Sequence, residues 1–134
     1  MEENILIMMV GLPRSGKSTV ARALGYPIVN PDSIRLALHG QAFYGPMEPY
    51  VWAIARTMVE SLFGAGHCRV ILDATNLTAK RRDEWKSSKW RREYEYLRTT
   101  KDECIKRAHA SERPDLVPVI ERMDESAELD FSDD

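Results

Sequence analysis

Residues 5–24 read ILIMMVGLPRSGKSTVARAL. Ile5 to Val10 is a continuous apolar run of strand length, the mark of a strand covered on both faces. It turns over into Gly11-Leu-Pro-Arg-Ser-Gly16-Lys17-Ser18, which fits the phosphate-binding pattern GxxxxGK[ST] in full. Such a turn gathers several backbone N–H groups around one polyphosphate. It therefore needs glycine where a side chain would collide or φ must be positive. A helix beginning near Gly16 adds the positive end of its dipole. Lys17 then reaches the β- and γ-phosphates, and the Ser18 hydroxyl ligates Mg²⁺. The candidate nucleotide-binding residues are Gly11, Leu12, Pro13, Arg14, Ser15, Gly16, Lys17, Ser18 and Thr19. Four fixed positions coincide by accident in roughly one chain of this length per hundred or fewer. The strand before and the helix after are the context the motif requires.

Working outward, strands and helices alternate. Ser18 to Leu24 reads as a short helix stopped by Gly25. Tyr26 to Asn30 reads as a second strand, and Pro31 and Asp32 open a helix to about Leu38. His39 to Pro49 is a loose stretch, and Tyr50 to Phe63 is a long amphipathic helix. Arg69 to Asp73 is a third strand, Thr78 caps a helix reaching about Trp90, and Tyr94 to Thr99 is a fourth strand. Thr100 with Glu103 forms a capping box for a helix to about Ala110, and Pro118 opens the last helix. Strands separated by helices imply right-handed crossovers and a parallel sheet with helices on both faces, an α/β layer fold.

In such a sheet ligands gather at the carboxyl ends of the strands. After strand two stand Asn30-Pro31-Asp32-Ser33-Ile34-Arg35; after strand three stand Asp73-Ala74-Thr75-Asn76. Asp32 either caps its helix or accepts a proton from an attacking hydroxyl. Arg35, one helical turn on, shares its face and offers paired donors to an acceptor's anionic group. Asp73 takes the position of a metal-side carboxylate. Thr75 and Asn76 are candidates for acceptor contacts. Arg107 and Arg113 are candidates for the cation that neutralises the phosphoryl group in flight, on a segment that reads as a lid.

At 134 residues, 43% apolar and 30% charged, the chain reads as one domain, 1–134, with an acidic, fraying tail over 121–134. A net charge of −2 gives no global positive field. Cys68 and Cys104 match no metal or redox spacing, which points to a reducing cytoplasm. No apolar run reaches the length of a membrane span, and Met1 reads as the start of the folded protein. Residues 80–92 hold seven Lys or Arg with Trp85 and Trp90 among them. That is either a nucleic-acid patch or a solvated helix whose tryptophans face the sheet, and the second reading is favoured.

The stretches GLPRSGKST, NPDSIR, VILDATNLTAKRRDEW and ECIKRAHASERPDLVPVIERM occur in that order. Through them the chain resembles the P-loop kinase family of polynucleotide 5′-hydroxyl kinase domains and zeta-toxin-like kinases, an AAA-type branch. The resemblance implies a three-layer α/β/α P-loop NTPase fold around about four parallel strands. It also implies ATP- and Mg²⁺-dependent transfer of the γ-phosphate to a hydroxyl on a nucleic-acid 5′ end or a small molecule. By position, Asp32 matches the family's general base and Arg35 the arginine that holds the acceptor-side phosphate. Ala74 departs from the acid that polynucleotide kinases place before Thr-Asn. The alternative function is an ATP-binding module or NTPase switch without acceptor phosphorylation.

Overall fold

The computed structural model describes residues 3–132; Met1 and the last two residues of the acidic tail lie outside them. Four strands form one sheet: β1 (Ile5–Val10), β2 (Ile28–Val29), β3 (Arg69–Leu72) and β4 (Arg91–Tyr96). All pair in parallel, in the order β2-β3-β1-β4. The helices are α1 (Lys17–Leu24), α2 (Pro31–His39), α3 (Glu48–Gly64), α4 (Ala79–Asp83), α5 (Lys101–Ala110) and α6 (Val117–Ser126).

The sheet is apolar on both faces, as the unbroken run in β1 requires. Leu6, Met8, Val70 and Leu72 pack with Val51, Ala55, Val59 and Phe63 of α3. Met9 and Ile71 pack with Ala21 of α1, while Val10 and Leu12 meet Cys104 and Ala108 of α5 and Ile120 of α6. This is the expected three-layer α/β/α fold with a central parallel sheet. Because every strand runs the same way, all four carboxyl ends open at one rim.

Local chemistry sets several boundaries. Asn30, extended at φ −122°, caps α2 by accepting the Ser33 N–H, with Pro31 behind it in the first turn. The cap therefore belongs to Asn30, and Asp32 is released from that duty. Thr78 caps α4 by accepting the Arg81 N–H, but the helix ends at Asp83, well short of Trp90. The Trp90 Nε1–H donates to the Trp85 carbonyl at 2.9 Å, and Ser87 bridges to Trp90, so the chain folds back instead. Strand β4 consequently begins at Arg91 rather than Tyr94. Trp85 and Trp90 are 3% and 5% exposed. They are core residues, as favoured, but they lie beyond the helix, with their rings against Trp52 and Phe63 of α3.

Candidate active site

The loop between β1 and α1 is shaped by two glycines. A Cβ on Gly11 would stand 2.6 Å from Ser15 Oγ and 3.2 Å from Leu97 Cβ, so only hydrogen fits. Gly16 has φ +100°, a left-handed turn that delivers the chain into α1. Arg14 is also left-handed, at φ 67°. The Gly11 N–H donates to the Thr75 carbonyl at 3.1 Å, and the Thr99 hydroxyl donates to the Ser15 carbonyl at 2.8 Å. The loop is thus tied to the segments that follow β3 and β4. Leu12 is buried, Pro13 half-buried and Thr19 exposed on α1. Ser15 is buried with its hydroxyl unpartnered among the described residues.

Lys17 Nζ donates to the Leu12 carbonyl at 2.8 Å. Burial holds its pKa below the ordinary ammonium value, against the opposing fields of Asp73, Cys104 and Asp32. Asp73, just past the end of β3 and 5% exposed, accepts from Ser18 Oγ at 2.7 Å and Asn30 Nδ2 at 3.1 Å. Ser18 and Asp73, read separately from the sequence as metal-side groups, are therefore in contact. A buried carboxylate with a hydroxyl oxygen beside it is a donor set that suits Mg²⁺, which takes oxygen ligands and keeps several waters.

Asp32, at the start of α2, has 74% of its side chain exposed and accepts from Arg35 Nη1 at 2.7 Å. Arg35 also grips Glu48, the first residue of α3, through Nε at 2.9 Å and Nη2 at 2.7 Å. These bonds raise the Arg35 pKa, Glu48 contributing most, and hold the Glu48 carboxyl below the usual carboxylate range. Thr75 lends the site its backbone carbonyl. Asn76, left-handed at φ 48°, is buried and donates to the Met9 carbonyl at 2.8 Å, which makes it part of the scaffold under the loop.

The two lid arginines part company. Arg107 donates through Nη1 to the Arg14 carbonyl at 3.2 Å, and its Nε is held by Glu103 at 3.1 Å. Glu103 thus steadies Arg107 in addition to giving its N–H to the Thr100 cap. Arg113 points instead to Asp115, with two bonds of 3.0 Å on the exposed surface. Sequence reading missed Asn30 and Glu48 as site members. The Asn-Pro pair is a recognisable helix start, whereas Glu48 sits in a stretch without pattern.

A family model described as an AAA domain matches residues 6–129. The chain belongs to this family. Its solved neighbours include kinases. A protein of the Pnkp1/Rnl/Hen1 complex shares 26% identity over 81% of this chain and 40% of that one, with TM-score 0.73. A gluconokinase from Sinorhizobium meliloti 1021 shares 22% over 97% and 77%, with TM-score 0.60. Shikimate kinase from Acinetobacter baumannii shares 18% over 92% and 72%, with TM-score 0.51. The last two show the fold alone. The chain spans less than half the length of the Pnkp1-complex proteins it resembles. None of the curated proteins compared with it matches. Among the described residues no helix is long and apolar enough to cross a membrane.

Proposed function

We propose that this P-loop kinase-family chain transfers the γ-phosphate of ATP to a hydroxyl acceptor with Mg²⁺, as a single catalytic unit in the cytoplasm. The observation that carries the reading is the meeting of Lys17, the Ser18–Asp73 pair and Asp32 at one rim of the sheet. The loop amides and Lys17 would bind the triphosphate, and Arg107 would lie beside it from the lid. Ser18 and Asp73 would hold Mg²⁺, which when bound neutralises charge on the phosphates. Asp32 is exposed and within the field of Lys17, so it can receive the proton of an acceptor hydroxyl as the new P–O bond forms.

Asp32→Asn tests this. Nucleotide affinity should stay within about twofold, while transfer should fall by about 100-fold or more. Undiminished transfer would remove Asp32 as the base. The second reading, an ATP-binding module or NTPase switch, draws on Arg113, whose guanidinium is engaged by Asp115. Hydrolysis that is indifferent to every acceptor would favour that reading.

A further inference from the structure

Arg35 is held on two sides. Glu48 takes its Nε and Nη2 as a fork, and Asp32 takes Nη1. The Arg35 and Glu48 side chains keep only 13% and 18% of their exposure, so solvent and salt screen the pair weakly. Trp52 lies against the guanidinium at 5.9 Å, and Arg81 stacks on the same indole at 4.0 Å. Arg81 is itself paired with Glu84 at 2.8 Å. Two carboxylates face one guanidinium at this corner, and the next cation is already offset.

We infer that Glu48 is a specificity-determining residue: by cancelling the charge of Arg35 it fits the subsite beside Asp32 to an uncharged polyhydroxyl acceptor and turns away one carrying an anion there. The inference rests on the reading of Asp32 as the base. It also departs from what the family resemblance implies, that Arg35 holds an acceptor phosphate. A phosphate must either displace a bidentate carboxylate or settle on the remaining N–H groups, facing Glu48 and Asp32. A neutral hydroxyl meets no such repulsion. It accepts from a remaining guanidinium N–H and presents its own proton toward Asp32.

Methyl phosphate, titrated calorimetrically into Mg–ADP-saturated protein, tests the charge rule without needing turnover. The unaltered chain should show no saturable heat below about 1 mM. Glu48→Gln should bind the anion at least about tenfold more tightly, Glu48→Ala likewise, and the gain should vanish in Glu48→Gln/Arg35→Ala. In transfer assays the rate ratio of thymidine 3′-phosphate to thymidine should rise by at least about tenfold in Glu48→Gln. Submillimolar binding by the unaltered chain that disappears in Arg35→Ala overturns the inference, as does a Glu48→Gln that gains nothing. If no acceptor is phosphorylated while the titrations behave as described, the kinase reading fails and the role of Glu48 in excluding anions stands.

Discussion

Lys17 Nζ bonds to the carbonyl of Leu12, five residues back in its own loop, at 2.8 Å. One donor of the ammonium expected to meet a triphosphate is therefore already engaged within the loop, on a half-buried side chain. A nucleotide can engage its remaining donors in further charge-assisted bonds. That engagement is measurable in two ways.

Lys17→Ala should weaken Mg–ATP binding by about 10- to 100-fold, the worth of one or two charge-assisted hydrogen bonds. The pH dependence carries a definite sign. Burial puts the Lys17 pKa below 10.5 in the folded protein, so the folded chain loses this proton before the unfolded chain does. As pH rises through the lowered value, ATP affinity should fall while the stability of the nucleotide-free protein rises. Titrations from neutral pH upward check the first part, thermal melts the second, and Lys17→Met should flatten both.

Glu48 gives the opposite pH window. Arg35 lowers its pKa beneath 4.5, so its contribution to stability is full above that value and disappears as pH falls through the folded one. Glu48→Gln should therefore lower the melting temperature at neutral pH. The gap to the unaltered chain should close as pH falls below 4.5 and through the lowered folded value.

Gly11→Ala places a methyl group 2.6 Å from Ser15 Oγ, against Leu97 on its other side. Relief requires the Ser15 hydroxyl, unpartnered among the described residues, to turn away and Leu97 to give, at a cost of about 1–3 kcal/mol. Nucleotide affinity should drop sharply while far-UV circular dichroism stays the same. Unimpaired binding would show that the loop does not hold phosphate in this conformation.

Arg107→Ala should reduce nucleotide affinity or transfer, since Arg107 reaches the Arg14 carbonyl over the loop. Arg113→Ala should change nucleotide affinity by less than about twofold, because an exposed ion pair with Asp115 is worth little. Parallel titrations of the two variants decide between the candidates.

Much of this was legible in the sequence because it is written in short-range pattern. The apolar run of β1, the glycine spacing and the Thr78 and Thr100 caps are local features, and they fixed the sheet and the loop. The contact of Ser18 with Asp73 followed from topology, because parallel strands send both to one rim. Residues 84–96 were harder. Their charges resemble a helix surface, yet Trp90 must reach the core and the edge strand β4 leaves its charged side chains partly in solvent. Glu48 was invisible because its significance lies in a contact with Arg35 thirteen residues away, across a loop with no periodicity.

Transfer of radiolabelled γ-phosphate from ATP, with Mg²⁺ and a panel of polyols, nucleosides and 5′-hydroxyl oligonucleotides, tests the account most directly. It predicts label covalently attached to an acceptor hydroxyl, dependent on that acceptor and strongly reduced in Asp32→Asn. Release of labelled inorganic phosphate at the same rate with every acceptor and with none, and no labelled product, would contradict it.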